Sequence, residues 1–269
     1  MTTHSQTEST ANRLRIVLVG TQHPGNIGSA ARAMKTMGLA RLVLVAPEKR
    51  PDRDSEALAA GADDLLAGAT FHDTLAEAVA DCRLVLGCTA RSRRIALEEL
   101  SPRSAATRAL ESAAQGGEVA LVFGRERTGL DNEELQLCHA AVHIPANPEY
   151  SSLNLAAAVQ VLAYELRLAV LASGGEAVPA PAPAPPGTGS PASHAELEGF
   201  FGQLGDTLDA IDFHKGRTPE SALRKFRRLF LKADLDTREV RLLRGVLADM
   251  QRIASIAAER GGRGGRGAE

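Results

Sequence analysis

Five short apolar runs, Ile16–Val19, Leu42–Val45, Leu84–Leu86, Val119–Phe123 and Ala141–Ile144, recur through the first half of the chain with helical patterns between them. Runs this short suit strands buried on both faces, and the intervals are long enough for crossover helices, so the pattern dictates an α/β fold with a parallel sheet. The first crossover helix is expected from about Gly28 to Met37, ending at Gly38, which tolerates the left-handed backbone that follows a helix end. Ser101-Pro102 opens another, with Ser as N-cap and Pro in the first turn. Asp131 opens a third, with Glu134 at capping-box spacing.

From Leu155 to Ala172 the pattern is helical and apolar on nearly every side, interrupted by Gln160, Tyr164, Glu165 and Arg167. Two partners fit such a surface: the core of the same chain, or a second subunit. Residues 173–193 hold six of the chain's thirteen prolines and the alternation PAPAPAPP, which marks a linker. Such a segment extends at about 3.1 Å per residue. Beyond it, helical patterns near 194–210, 219–232 and 237–258 make a small all-helical unit, with Phe200, Phe201, Phe213, Phe226 and Phe230 as its core. The chain thus divides into a disordered terminus (1–13), a large domain (14–172), the linker, a helical extension (194–259) and a disordered RGG tail (260–269).

Among 269 residues, 44% are apolar and 24% charged, ordinary values for a soluble protein. No apolar run reaches the roughly 18 residues of a membrane span. The N-terminus MTTHSQTESTANR has no apolar stretch for secretion, and Cys82, Cys88 and Cys138 are too few for a disulfide framework, so a cytoplasmic protein without membrane contact is expected. The net charge of −2 conceals residues 214–232, where seven Lys or Arg face the single acid Glu220. That segment is either a solvated helix face or a surface for a polyanion.

Three constellations carry candidate chemistry. The first is N26-I-G-S-A-A-R32, where Gly28 permits close backbone approach at a strand-to-helix turn and Arg32 follows one turn into the helix. Alone, it is a weak signal that reads more readily as a common βα turn followed by a solvated Arg. In L121-V-F-G-R-E-R-T-G-L130 a buried strand ends in a loop with Gly124 and Gly129, at the carboxyl end where open α/β sheets bind ligands. Glu126 in that loop is either a surface or capping acid or a site residue. The third, I144-P-A-N-P-E-Y-S-S-L-N-L155, offers Ser151, Ser152 and Asn154 as helix caps or as ligand donors.

In this order and spacing the three strings resemble the signature motifs of the SpoU/TrmH branch of the SPOUT methyltransferases: Asn-x-Gly-x-x-x-Arg, a strand ending Phe-Gly-x-Glu-x-x-Gly-Leu, and Ile-Pro followed by Ser-Leu-Asn. The longer strings VGTQHPGNIGSAARAMKTMGL, VFGRERTGL and ANPEYSSLNLAAAVQVLAYE resemble members that methylate position 32 of the tRNA anticodon loop, and RKFRRLF with LLRGVLADM resembles their helical extension. The resemblance covers most of 14–172 and the core of 194–255.

The resemblance implies a SPOUT fold with a C-terminal trefoil knot, a feature periodicity would never suggest because knots are so rare. It also implies a homodimer that uses S-adenosyl-L-methionine (SAM) as co-substrate, without a metal, to methylate the ribose 2′-hydroxyl of cytidine or uridine at position 32 of tRNA. Carried over by position, SAM is held by Cys88, Thr89, Ala90, Gly124, Ile144, Ser151, Ser152 and Leu153. Many members have Thr-Ser-Ala where this chain has Cys-Thr-Ala, and Cys88 reads as a small buried residue. Arg32 acts beside the 2′-hydroxyl, as an electrostatic stabiliser because guanidinium resists deprotonation; Asn26, Glu126, Ser152 and Asn154 orient the groups around it. Arg224, Lys225, Arg227 and Arg228 are the expected RNA contacts. With 3% aromatics and no Trp, recognition should rest on shape and phosphates rather than on stacking several bases. Competing readings are a 2′-O-methyltransferase for another tRNA or rRNA position and a non-catalytic RNA-binding protein of the same fold. No G-x-G-x-x-G after a strand, phosphate-binding loop or cysteine cluster points elsewhere, and His139 and His143 lack the context of a metal site.

Overall fold

A computed structural model describes residues 10–90, 97–173, 190–215 and 218–264, with 258–264 described by backbone alone. The chain forms two compact units that divide between Ala184 and Pro185. Most of the expected linker (174–189), of the first thirteen residues (1–9) and half of the tail (265–269) lie outside the described residues.

In the first unit seven strands, β1 (Leu14–Val19), β2 (Arg41–Val45), β3 (Thr70–His72), β4 (Cys82–Cys88), β5 (Glu98–Leu100), β6 (Glu118–Phe123) and β7 (Ala140–Val142), form one sheet. Their order is β3-β2-β1-β6-β4-β7-β5 and every pairing is parallel. The alternation of β1 explains its burial on both sides: Leu14, Ile16 and Leu18 enter one core, Val17 and Val19 the other. The first core is roofed by α1 (Pro24–Thr36), α5 (Pro102–Ala114) and α7 (Leu155–Ser173), the second by α4 (Leu75–Ala78) and α6 (Asn132–Gln136). Two insertions break sequential order: β6 enters between β1 and β4, and β7 between β4 and β5.

The expected caps are present. The Ser101 side chain accepts from the Ser104 N–H, and Asp131 forms a reciprocal capping box with Glu134. β3 and β5 escape sequence reading because both are three-residue, largely exposed edge strands, TFH and EEL, without an apolar run. The first helix begins at Pro24 rather than Gly28, since Pro at the first helical position is pre-set for the turn. That shift reassigns Gly28: a Cβ there would lie 2.0 Å from the Ser55 carbonyl oxygen, so it serves the packing of α1 on α2 (Arg53–Ala59). Order also begins before Leu14, because Arg13 bonds to the Gly116 carbonyl and to Glu118.

One face of α7 is core: Leu155, Val159, Leu162, Ala163, Leu166 and Val170 are buried. Its other face is exposed and apolar, with Leu171 at 57%, Tyr164 at 49% and Leu168 at 36% exposure. Its mean hydropathy of 1.6 over 18 residues is that of a membrane span, yet its inner face packs on the sheet. The three thiols are free; burial pushes the pKa of Cys82, Cys88 and Cys138 up to about 12.

In the second unit α8 (His194–Ala210), α9 (Pro219–Lys232) and α10 (Thr237–Gly264) surround Phe200 and Phe201, with Phe226 and Phe230 partly buried against them. Phe213 departs from the expected core: it is 47% exposed. α10 continues past 258 into the tail glycines, each added residue gaining one intrahelical bond.

At the amino ends of β1, β2 and β6 a charge cluster staples the sheet. The buried Arg15 gives two hydrogen bonds to Asp81, at 2.8 and 2.6 Å, and one to Glu118 at 3.0 Å, and Arg41 also pairs with Glu118. Burial alone raises both carboxyl pKa values, but the arginine contacts outweigh it and hold both below the usual range. Their stabilisation is therefore full above about pH 4, the unfolded carboxylate range, and is lost as pH falls through the lower folded values. Glu118→Gln should cost about 2 kcal/mol at pH 7. In chemical denaturation followed by circular dichroism, the gap to wild type should narrow below about pH 4; a pH-independent gap refutes the charge explanation.

Candidate active site

Parallel pairing puts the carboxyl ends of β1, β6, β4 and β7, four neighbours in the sheet, along one edge, so the loops that follow them share that edge. At this edge Glu126, from the loop after β6, reaches the loop after β1. Its Oε1 accepts from the Asn26 side-chain amide at 2.8 Å and the His23 N–H at 3.2 Å, and its Oε2 accepts from the Gln22 N–H at 3.0 Å. No side chain of its own caps α1, so this carboxylate supplies the anion at that helix entrance. Burial raises the Glu126 pKa, yet the amide and two N–H donors prevail and hold it below the ordinary value. An ionised carboxylate with both oxygens engaged is an anchor, not a proton acceptor.

Donating its amide to Glu126 turns the Asn26 carbonyl the other way, where it accepts from Asn154 Nδ2 at 3.0 Å. Asn154 in turn caps α7: its Oδ1 accepts from the N–H groups of Ala156 at 2.9 Å and Ala157 at 3.4 Å. The capping reading of Asn154 holds, and the same side chain also ties the third constellation to the first. Glu126, Asn26 and Asn154 therefore form one hydrogen-bonded relay across three loops distant in sequence.

Gly124 is required for space rather than for backbone angle: a Cβ would lie 2.2 Å from Gly129 C and Leu130 N, where the loop folds onto itself. The Gly129 N–H closes that fold on the Arg125 carbonyl at 2.8 Å, and Gly129 has φ +68°. Sequence reading overlooked Gly20 and Arg125. Arg125 pairs with Glu134 at 2.9 Å and lies so close to Gly20, φ +58°, that a Cβ there would meet its Nε at 2.7 Å. The available signal was the repetition of Gly-x at a strand end, Val19-Gly20 and Phe123-Gly124.

The remaining candidates line the loops after β4 and β7. Thr89 donates its N–H to the Val142 carbonyl at 3.0 Å, and its own carbonyl lies 3.3 Å from His143 Nδ1, so Cys88-Thr89-Ala90 is fastened to β7. His139 Nδ1 instead accepts from the Val85 N–H at 3.0 Å. Cys88, Ile144 and Leu153 are half-buried, and the side chains of Ser151 and Ser152 bond to no described residue. Half-buried apolar side chains and unpaired hydroxyls are the residue types that a ligand with apolar and polar parts requires.

Arg32 is not brought to this relay within one chain. Because α1 starts at Pro24, Arg32 stands beyond its second turn, about 9 Å along the axis from Asn26. It is exposed and bonds to no described residue. In the second unit Arg224, Lys225 and Arg228 are exposed, as is Lys232, on one stripe of α9. Arg227 departs from the expected contact set: it is turned inward, paired with Glu198 and stacked 4.5 Å from the centre of the Phe201 ring.

Residues 13–164 match the model of the SpoU rRNA methylase family, and residues 195–259 match that of the tRNA methyltransferase TrmJ C-terminal domain. The chain is 49% identical over 247 residues to the tRNA (cytidine/uridine/adenosine-2′-O-)-methyltransferase TrmJ of Pseudomonas aeruginosa, covering 90% of this chain and 95% of that one. To the tRNA (cytidine/uridine-2′-O-)-methyltransferase TrmJ of Escherichia coli K12 it is 50% identical over 240 residues, covering 88% and 95%. Its fold is similar to the crystal structure of TrmJ from Z. mobilis, with a TM-score of 0.73, 36% identity, and coverage of 88% and 98%.

If the relay acts as a unit, Glu126 and Asn154 are coupled although they do not touch. A double-mutant cycle of Glu126→Gln and Asn154→Ala should give a coupling of about 1 kcal/mol in denaturation. Strict additivity would show three independent loops.

Proposed function

The chain belongs to the SpoU rRNA methylase family, and from that premise we propose that it is a SAM-dependent tRNA methyltransferase acting on the ribose 2′-hydroxyl of cytidine or uridine at position 32 of the anticodon loop. The observation that carries the reading is the relay through Glu126, Asn26 and Asn154, which assembles all three family motifs at one sheet edge, together with the family's tRNA-directed extension on the same chain. Mass-spectrometric mapping of 2′-O-methyl groups on tRNA treated with purified protein and SAM tests it; methylation elsewhere, or none, refutes it. One relative's name includes adenosine, so transcripts with adenosine at position 32 belong in the same assay.

SAM, when bound, supplies the methyl group and its leaving group, and the protein's task is positioning and charge. Cys88, Thr89, Ala90, Gly124, Ile144, Ser151, Ser152 and Leu153 hold it: the half-buried apolar side chains against its flat part, the serine hydroxyls and loop backbone at its polar groups. We extend this to the trefoil knot of the family, for which the insertions of β6 and β7 leave a suitable strand order. Glu126 and Asn26 fix the entrance of α1, and Asn154 fixes α7 against it. Arg32 stabilises the negative charge that develops on the ribose oxygen as its proton passes to water.

Arg32 does this in a site completed by a second copy of the chain. Supporting this are the uncommitted Arg32 guanidinium and the exposed apolar face of α7, the helix on which α1 packs. Leu171→Asp should turn the dimer into monomers by light scattering and abolish transfer; an active monomer sinks the dimer. Arg32→Ala should slow single-turnover methylation by about 100-fold with SAM affinity unchanged, and Arg32→Lys should restore little, because an ammonium lacks the planar fork. Near-wild-type transfer by Arg32→Ala would return Arg32 to an ordinary surface charge.

A further inference from the structure

Phe213 is the most exposed phenylalanine among the described residues, at 47%, and it is held rather than loose. α8 ends in two bonds that fix its position: the Phe213 N–H reaches back to the Leu208 carbonyl and the Asp212 N–H to that of Asp209, both at 3.0 Å. That ending needs a left-handed residue, and Asp212 takes the place with φ +49°. The ring stands edge-on to His214, centroids 5.8 Å apart, and 6.1 Å from Phe226 of α9. His214 is itself anchored, with Nε2 3.3 Å from Asp209 Oδ1. The other exposed phenylalanine, Phe71, already carries the Arg50 guanidinium 4.4 Å from its ring centre; among the described residues no cation stacks on Phe213.

Its neighbours in the chain carry both signs: Asp209 and Asp212 at the end of α8, and basic residues beyond them. Lys215 follows two residues on, and Phe226 directly follows Lys225 on α9, whose exposed stripe adds Arg224, Arg228 and Lys232. Lys225, Arg228 and Lys232 bond to no described residue. Ile211, 39% exposed, and Leu229, 60% exposed, also belong to this unit; what sets Phe213 apart from them is its flat face, which together with exposed cations suits a polyanion with flat, unpaired groups. We propose that Phe213 is a stacking platform for one unpaired base of the tRNA, with the adjoining phosphates on the α9 stripe. This rests on the tRNA reading above and adds an anchor that charge alone does not provide.

Stacking contributes affinity that salt does not screen, unlike phosphate contacts. In full-length protein, Phe213→Leu should weaken tRNA binding about tenfold with an unchanged salt slope, a loss of about 1.4 kcal/mol. Arg228→Gln should instead lower that slope by about one. Phe213→Trp should bind like wild type, and because the chain has no other Trp its fluorescence reports the ring directly. Its emission should be quenched by tRNA but not by a fully paired RNA duplex, which also should not distinguish Phe213→Leu from wild type. Bright tryptophan in a tRNA-bound complex, equal tRNA affinity for Phe213→Leu, or an equal loss on duplex overturns the platform alone; failure of the wild type to bind tRNA overturns the tRNA reading itself.

Discussion

One carboxylate holds the functional edge of the first unit together. Glu126 gathers two backbone N–H groups and an amide from the segment entering α1, and the amide passes the constraint through Asn154 to the start of α7. Each bond is modest alone, worth about 1 to 3 kcal/mol when one partner is charged. Their value lies in geometry: they tie the loop after β6, the first turn of α1 and the start of α7 to one another at the same edge of the sheet. Because the carboxylate is held ionised, the donors that hold it also remove it from proton chemistry.

The sheet separates two kinds of charge. At the amino ends, Arg15, Arg41, Asp81 and Glu118 pair with one another and stabilise the fold, although the buried Arg15 Nε has no partner among the described residues. At the carboxyl ends, Glu126, Asn26 and Asn154 pair with one another, while the side chains of Ser151 and Ser152 bond to no described residue, nor does that of Arg32 farther along α1.

The sequence made the core strands and most helix starts legible because they follow rules local in sequence: short apolar runs, Ser101-Pro102, and the box from Asp131 to Glu134. It did not disclose β3 and β5, whose identity comes from pairing with a neighbour rather than from their own three residues. Gly28 and Gly124 were visible as special but not for the right reason; one clears Ser55 on another helix, the other clears its own loop, and only tertiary contact tells such cases apart. The bond from Asn154 to Asn26 spans 128 positions. Nothing in either local segment announces it; family resemblance suggested only that they belong to one site. Arg227 shows the converse error, since adjacent arginines on a helix point in different directions and only its neighbours Arg224, Lys225 and Arg228 share the outer stripe.

The thiols carry a consequence of their own. With a pKa near 12, a cysteine at pH 7 is thiolate in about one molecule in 10⁵, and the thiolate is the form that oxidants and alkylating agents attack. Cys82 and Cys138 are buried, so reagents in solution are kept from them sterically as well as by the scarcity of thiolate. Cys88, at the end of β4, is only half-buried and has the raised pKa alone to protect it.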